Sequence, residues 1–166
     1  ATPALTGTEG KLKLGEIYAK YQSPIEYASL EYNVPVSLIV ANIYAESRGD
    51  PRAVSCTGAA GLMQLVVDTA TEVGVTPGNY ELVKNPGFRC DGKTGWISTR
   101  EGCNAVNNSR CDYVNDERFD PVKNIIGGTK NLRIKMNRRR NWNQALTDNA
   151  GGDRTYYARV WNYKTE

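Results

Sequence analysis

The sequence contains no histidine. This excludes Ser–His and Cys–His nucleophilic pairs, as well as histidine-ligated zinc sites. Acidic and basic residues nearly balance, at 18 and 21, and the net charge of +3 argues against a nucleic-acid-binding protein. No apolar run approaches the roughly 18–20 residues of a membrane span. The chemistry is therefore expected to come from carboxylates, hydroxyls and amides, without a metal or cofactor.

Cysteine is scarce, with only Cys56, Cys90, Cys103 and Cys111. Their spacings of 34, 13 and 8 residues contain none of the CxxC pairs typical of structural zinc. An even count in a small non-cytosolic protein favours two disulfides, and three pairings are possible. We favour a bond from Cys56 to one of the other three. Four free thiols in a reducing cytosol are the alternative.

The length of 166 residues fits a single domain with a sizeable core. The small, polar beginning predicts a flexible arm over residues 1–17, followed by a folded domain over residues 18–166. Residues 76–117 are rich in turn-forming residues and hold three of the four cysteines, so they are predicted to form an insertion that is cross-linked by disulfides. A short strand or hairpin is expected there, around residues 95–98.

Helical spacing of apolar residues predicts a mostly α-helical domain. A first helix starts at Ser23-Pro24, in a segment with the form of a capping box. Pro35 or Val36 opens the next helix. Further helices are predicted over residues 62–73, 120–136, 143–146 and 155–163. The helix that Asp120 caps is expected to turn five residues inward: Val122, Ile125, Ile126, Leu132 and Met136.

Glu46 is the candidate catalytic residue, because it ends the apolar run of residues 36–45. Apolar residues on nearly every face predict a buried helix. A carboxyl group at its end is desolvated and lies at the negative end of the helix dipole, and both effects are expected to raise its pKa. Such a group can act as a general acid. The alternative is a solvated Glu in a frayed last turn, since residues 48–51 resemble a turn.

A second segment follows within twenty residues and contains Ser55 and Gly58-Ala59-Ala60-Gly61-Leu62-Met63-Gln64. With Glu46-Ser47, this spacing resembles the catalytic core of the soluble lytic transglycosylase family, lysozyme-like enzymes that cut peptidoglycan. Residues 119–128 look like that family's "DP-x-x-N-I-x-x-G" helix entry, and residues 145–151 its "A-L-x-x-Y-N-A-G" loop. Residues 155–160 resemble its closing helix more loosely. The resemblance covers roughly residues 20–75 and 117–163.

The resemblance implies a mainly α, lysozyme-like (α+β) fold in a single helical domain with the insertion. It implies cleavage of the β-1,4 bond between N-acetylmuramic acid and N-acetylglucosamine, giving 1,6-anhydromuramoyl products, with Glu46 as the single acid and base. It further implies contacts to the substrate or the catalytic carboxyl from a set of residues: Ser47, Ser55, Met63, Gln64 and Asn149. The implied partner is the peptidoglycan strand, in the periplasm or outside the cell, with a possible link to secretion, conjugation or phage-entry machinery.

Each of these residues also has a purely structural interpretation. Ser55 can be a turn serine that bonds its own backbone. Ser47 can bond the helix end, Gln64 can be an exposed helix residue, and Met63 can be a core residue. Trp96 is the best candidate for a cleft wall, whereas Trp142 and Trp161 are expected in the core. A group of basic residues can meet muropeptide carboxylates, although a solvated helix face is favoured: Arg133, Lys135, Arg138, Arg139 and Arg140.

Asp148 departs from the family pattern, which has Tyr at this place in the loop. An Asp there can pair with protonated Glu46, or it can position a water molecule, which would make the enzyme a hydrolase. It can also point to solvent while Tyr156 or Tyr157 takes over the role of the hydroxyl, and we favour this third option. Three other functions therefore stay open: a hydrolytic muramidase, a glycan-binding module with a decayed site, and a scaffold component of an envelope-spanning machine.

Overall fold

The computed structural model describes residues 12–84, 99–106, 108–142 and 145. In this part of the chain the structure is mainly helical, with a small two-stranded sheet. The helices are α1 (Leu14–Lys20), α2 (Gln22–Tyr32), α3 (Val36–Ser47), α4 (Val67–Glu72) and α5 (Pro121–Arg139). The strands are β1 (Leu82–Lys84) and β2 (Thr99–Glu101), and short 3-10 turns span Asn108–Arg110 and Glu117–Phe119. The predicted helices beyond Ala145 lie outside the described residues.

Helix α3 forms the centre of the main core. It buries residues on most of its faces, as its continuous apolar pattern predicted, and α1 and α2 pack against it. Helix α5 packs against α2 on the other side of the core. Burying each Ile or Leu contributes about 1.5–3 kcal/mol. The fully buried Ile and Leu side chains of this core are Ile17, Ile25, Leu38, Ile39, Ile43, Leu62, Ile125 and Leu132.

Helix α5 begins where the sequence predicts. The Asp120 carboxylate accepts hydrogen bonds from the backbone N–H groups of Val122 (2.9 Å) and Lys123 (3.2 Å), and Pro121 occupies the first turn. Ile125 and Leu132 are buried as expected, but Val122 is 48% exposed. The prediction for Val122, in the first turn of the helix, is therefore wrong.

The folded domain begins earlier than predicted. Helix α1 starts at Leu14, and Ile17 in it is fully buried, so residues 14–17 belong to the folded domain rather than to a flexible arm. Helix α2 starts at Gln22, one residue before the predicted Ser23, and its beginning has no side-chain cap. The predicted helix over residues 62–73 is shorter than expected, since α4 begins only at Val67. Residues 1–11 lie outside the described residues.

The described part of the insertion contains an antiparallel pairing of β1 with β2, in which Val83 lies opposite Arg100. The expected hairpin residues 95–98, including Trp96, are outside the described residues, and β2 begins directly after them. Cys103 and Cys111 form a disulfide with a Cα–Cα distance of 4.7 Å. Cys56 is also disulfide-bonded, and Cys90 lies outside the described residues. Within the described residues, no helix is both long and apolar enough to cross a membrane.

Candidate active site

Glu46 is the penultimate residue of α3, and its side chain is half-buried. The helix ends because Arg48 and Gly49 adopt left-handed backbone conformations, with φ of 54° and 82°. A Cβ at Gly49 would lie 3.0 Å from Leu12 Cδ1 and 3.1 Å from Ile17 Cγ1, so α1 packs closely on this turn. The Leu12 N–H donates to the Arg48 carbonyl at 2.8 Å. The turn that follows Glu46 is therefore held by α1 and by Leu12, just before α1.

Ser47 joins this helix end to the glycine-rich loop of residues 58–65. Its buried hydroxyl donates to the Leu62 carbonyl at 2.7 Å, and the Ile43 carbonyl lies 3.1 Å away. The same oxygen accepts a hydrogen bond from the Gly49 N–H at 3.2 Å. This bonding brings the predicted Glu46-Ser47 pair beside the predicted Gly61–Gln64 segment, although the two are separate in sequence.

The loop doubles back on itself at a small hydrogen-bonded turn. Ala60 pairs with Leu65 through two hydrogen bonds of 3.0 Å and bridges Val54 on its other side. Gly61 has a φ of 83°, and a Cβ there would lie 2.0 Å from the Arg118 carbonyl oxygen. Gln64 also adopts a positive φ, of 52°. These conformations explain why residues 61–64 form a turn instead of the predicted helix.

The side chain of Asn124, near the start of α5, holds the loop through hydrogen bonds. This fully buried side chain accepts the Met63 N–H at 2.7 Å and donates to the carbonyls of Ala60 (3.1 Å) and Arg118 (2.8 Å). One amide thus bonds two positions of the loop and one of the segment before α5. Since buried polar groups must be paired, these bonds fix the loop relative to α5.

Arg118 is the second support of the loop, and its side chain is fully buried. Its Nη1 donates to the carbonyls of Gly58 (2.8 Å) and Leu65 (3.0 Å), one at each end of the loop. Its Nε and Nη2 donate to the Asp116 carboxylate over 2.9–3.2 Å. A buried guanidinium needs such pairing, because an unpaired buried charge is costly.

Tyr80 extends this network into the insertion. Its hydroxyl donates to Asp116 Oδ2 at 2.9 Å and accepts the Asp112 N–H at 2.9 Å. Burial, followed by the neighbouring Asp116 carboxylate, raises the pKa of Tyr80 to about 12, although the Asp112 N–H opposes the shift. The insertion is thereby bonded to the groups that hold the loop.

The structure gives Ser55 and Gln64 local hydrogen bonds. Ser55 Oγ accepts the Ala59 N–H at 2.9 Å and lies 3.2 Å from Thr57 Oγ1, as in the turn-serine interpretation. Gln64 Nε2 donates to the carbonyls of Ala53 and Gly61, both at 2.9 Å. Both side chains therefore shape the loop beside Glu46.

Met63 projects into the core, where its side chain packs against Gly128. A Cβ at Gly128 would lie 2.6 Å from Met63 Sδ, and the Thr129 hydroxyl is 3.9 Å from this sulfur. Met63 thus contributes a core side chain and a backbone bond to Asn124. Asp148, Asn149 and Tyr156 lie outside the described residues.

Two further expectations concern residues away from Glu46. Trp142 is half-buried against the main core, close to its predicted place. Arg133 donates to the Tyr32 carbonyl at 2.8 Å and to the Asn33 carbonyl, which caps the end of α2. This member of the basic group thus has a structural contact of its own.

Arg118, Asp116 and Tyr80 are the main residues that sequence reasoning missed. Their only sequence signal is the Asp-x-Arg spacing just before the predicted helix. Asn124 is the asparagine of the helix-entry motif in residues 119–128, but the motif did not predict that its side chain would hold the loop. In the described part of the chain, no cluster of three or more His, Cys, Asp or Glu side chains is arranged to hold a metal ion.

Residues 23–87 match the family model described as the transglycosylase SLT domain. This match spans α2, α3 and the glycine-rich loop, and so includes Glu46 and both sides of its contact through Ser47. The chain therefore contains a transglycosylase SLT domain. The predicted family resemblance is thereby confirmed.

Relatives from several sources support this assignment. A transglycosylase of Enterobacteria phage PRD1 is 32% identical over 125 residues, which covers 75% of this chain and 32% of that protein. Membrane-bound lytic murein transglycosylase C of Photorhabdus laumondii is 34% identical, covering 71% and 25%. Membrane-bound lytic murein transglycosylase F 1 of Alkalilimnicola ehrlichii is 46% identical over 56 residues, covering 34% and 11%. The chain thus spans about a third or less of these relatives.

Among solved structures, the 70 kDa soluble lytic transglycosylase SLT70 of Escherichia coli shares the fold. The match has a TM-score of 0.52 at 18% identity and covers 90% of this chain and 20% of that one. The expected lysozyme-like fold is therefore confirmed.

Proposed function

We propose that this SLT domain is a peptidoglycan lytic transglycosylase that cleaves the β-1,4 bond between N-acetylmuramic acid and N-acetylglucosamine. The observation that carries the proposal is the hydrogen bond that joins the end of α3, the helix of Glu46, to the glycine-rich loop. Ser47, the next residue, bonds the Leu62 carbonyl at 2.7 Å within a domain that matches the SLT family. The names of the relatives, which include lytic murein transglycosylases, support the same reaction.

Glu46 is the single acid and base of the proposed reaction. Its protonated carboxyl group gives a proton to the bridging oxygen as the bond from that oxygen to C1 of the muramic acid breaks. The C6 hydroxyl of the same sugar then bonds to C1 and returns its proton to the Glu46 carboxylate. The product has a 1,6-anhydro ring, and no water is consumed. Because the nucleophile belongs to the substrate, its high effective molarity makes one carboxyl group sufficient.

The loop of residues 58–65 provides the rigid part of the site. Its backbone lies next to the end of α3 and is held by Asn124 and Arg118 from the opposite side. A rigid loop keeps the sugar at a constant distance from the Glu46 carboxyl, which orientation-dependent catalysis requires. Ser55 and Gln64 shape this loop through their bonds to residues 53–61. Asp148, Asn149 and Tyr156 complete the proposed site.

The proposed location is the periplasm or the cell exterior, with the glycan strand of peptidoglycan as the partner. The disulfide between Cys103 and Cys111 and the disulfide-bonded Cys56 support an oxidising compartment. Two relatives named membrane-bound lytic murein transglycosylases support the same location. A role in phage entry draws its support from the relative in phage PRD1.

Replacing Glu46 by Gln tests the proposal. The variant is expected to release no soluble muropeptides from purified peptidoglycan, while it folds normally and still sediments with the wall. Glu31→Gln provides a matched control, since Glu31 is also the penultimate residue of a helix, α2, but is exposed. This control is expected to keep wild-type activity. Product release by Glu46→Gln at the wild-type rate would refute the proposed acid.

A further inference from the structure

Arg52 lies on an aromatic ring at the edge of the candidate active site. Its guanidinium carbon is 4.6 Å from the centroid of the Tyr113 ring. Tyr113 in turn packs edge-on against Phe119, with ring centroids 4.7 Å apart and an interplanar angle of 62°. Phe119 is buried with Ala60 and the Cys103–Cys111 disulfide. The ring that supports Arg52 is therefore fixed by the insertion and by the segment before α5.

The guanidinium of Arg52 has no carboxylate partner among the described residues. Ion pairs in that part of the chain form at other cations, such as Arg118 with Asp116, Lys123 with Glu117, and Arg138 with Glu72. Arg52 does bond Asp50, but through its backbone N–H, at 2.9 Å from Oδ1. A guanidinium that stacks on a ring through its face keeps its N–H edges available for a planar anion.

Arg52 also borders the loop beside Glu46. It follows Glu46 by six residues and precedes Ala53, whose carbonyl accepts the Gly61 N–H at 2.9 Å. The same carbonyl accepts a hydrogen bond from Gln64 Nε2. The backbone that carries Arg52 therefore runs along the loop that Ser47 joins to α3.

We propose that Arg52, held by Tyr113, binds a carboxylate of the peptide attached to the glycan strand. The domain would then cut peptide-bearing strands in preference to peptide-free strands. The inference rests on the proposed function and adds a selectivity to it. The peptides of peptidoglycan carry free carboxylates beside the muramic acid, and a guanidinium edge can bind one of them through two parallel hydrogen bonds. The half-buried position of Arg52 strengthens this binding relative to a fully exposed cation.

The test compares kcat/KM for two substrates, glycan strands with their peptides and the same strands after enzymatic removal of the peptides. Wild type is expected to have a higher kcat/KM for the peptide-bearing strands. Arg52→Gln is expected to lower kcat/KM about tenfold for those strands alone, because losing one charge-assisted hydrogen bond typically weakens binding by about this factor. Arg52→Lys should recover part of the loss, because lysine keeps the positive charge but not the paired N–H donors of the guanidinium. Tyr113→Phe should keep the preference, because it keeps the ring.

Arg138→Gln is the control for a change in overall charge. Arg138 is exposed and lies fourteen residues after Asn124 on α5, which places it about 20 Å along the helix from the loop support. This control should leave the ratio of the two substrates unchanged. An equal loss on both substrates for Arg52→Gln, or a wild type without any preference, would overturn the inference while the proposed reaction stands.

A binding comparison separates this inference from the proposed reaction. The Glu46→Gln variant, with and without Arg52→Gln, is mixed with soluble strands of each kind, and the dissociation constants are measured. Tighter binding of peptide-bearing strands that is lost with Arg52→Gln supports the inference even if cleavage is never seen. Equal dissociation constants for both kinds of strand would contradict it.

Discussion

At position 61 the backbone can carry only a glycine. The φ of 83° is unfavourable for other residues, and a Cβ would lie 2.0 Å from the Arg118 carbonyl oxygen and 2.2 Å from Asn124 Nδ2. We predict that Gly61→Ala lowers the free energy of unfolding by about 3–5 kcal/mol, from backbone strain and the steric clash together. Urea unfolding followed by circular dichroism measures the change.

Gly74→Ala is the matched control for the strain alone. Gly74 has a nearly identical φ of 82°, but no atom lies within 4 Å of the position of a Cβ. Its substitution should lower the free energy of unfolding by only about 1–2 kcal/mol. Equal effects at the two positions would show that the close approach of Arg118 and Asn124 to Gly61 does not restrict the loop.

The titration of the Tyr80 hydroxyl determines how the stability of the fold changes as the pH becomes alkaline. Its pKa is raised from 10.0 to about 12 in the folded protein, chiefly by burial. The unfolded chain therefore loses the proton first, so the contribution to stability is complete below pH 10 and is lost as pH rises toward about 12. Tyr80→Phe should lower stability at neutral pH by about 1–3 kcal/mol, since it leaves Asp116 and the Asp112 N–H without this partner.

Above pH 10, the Tyr80→Phe variant should lose stability less steeply than wild type, because this titration is gone. Tyr27→Phe is the control, since Tyr27 is 54% exposed. Unfolding midpoints in urea, measured from neutral to alkaline pH, give both slopes. Parallel curves for wild type and Tyr80→Phe would contradict the assignment of the titration to Tyr80.

Among the larger elements, the glycine-rich loop depends on a buried ion pair supplied from a distant segment. Arg118 and Asp116 are both fully buried, and Arg118 also bonds the Gly58 and Leu65 carbonyls. We predict that Arg118→Met lowers the free energy of unfolding by about 3–5 kcal/mol, since it leaves the Asp116 charge buried without its partner. Product release from peptidoglycan should also fall under conditions where the variant stays folded, because the loop loses two anchors.

Lys123→Met is the control for this prediction. Lys123 forms an ion pair with Glu117, but its side chain is 52% exposed. Removing an exposed pair should lower the free energy of unfolding by no more than about 1 kcal/mol and leave product release unchanged. A loss for Arg118→Met as small as that for Lys123→Met would mean that the loop does not depend on the buried pair.

The elements that sequence predicted well are those with local signals. Pro35 and Asp120 mark the starts of α3 and α5, because a proline break and a carboxylate cap act within a few residues. The segment from Leu62 to Gln64 was wrongly predicted as helix. Its conformation depends on Arg118 and Asn124, which are more than fifty residues away in sequence and whose contacts leave no local pattern.

Helix α1 was missed for a similar reason. It spans only seven residues, and its Ile17 becomes part of a core only where it packs, together with Leu12 just before the helix, on the turn after Glu46. At the site, Glu46 and the loop beside it were located from the sequence, because their spacing resembles a known family. The supporting network of Tyr80, Asp116 and Arg118 was not found, since charged and hydroxyl side chains usually indicate a surface.

For the whole molecule, the described residues form a main core around α3 and two smaller hydrophobic clusters, one of which includes the disulfide-bonded Cys103 of the insertion. Two hydrogen bonds connect the insertion to the groups that flank or hold the loop. The Ala105 N–H donates to the Ser55 carbonyl at 3.0 Å, and Tyr80 bonds Asp116. The insertion is thus bonded to the surroundings of the candidate site, and it also carries the Tyr113 ring that contacts Arg52.

The central claim is that Glu46 catalyses cleavage in which the substrate supplies its own nucleophile. Mass spectrometry of the soluble products from purified peptidoglycan tests it most directly, with Glu46→Gln run alongside. The account predicts products that end in 1,6-anhydromuramic acid and that disappear with Glu46→Gln. Reducing ends, which carry the mass of one added water, would contradict it and identify a hydrolytic muramidase.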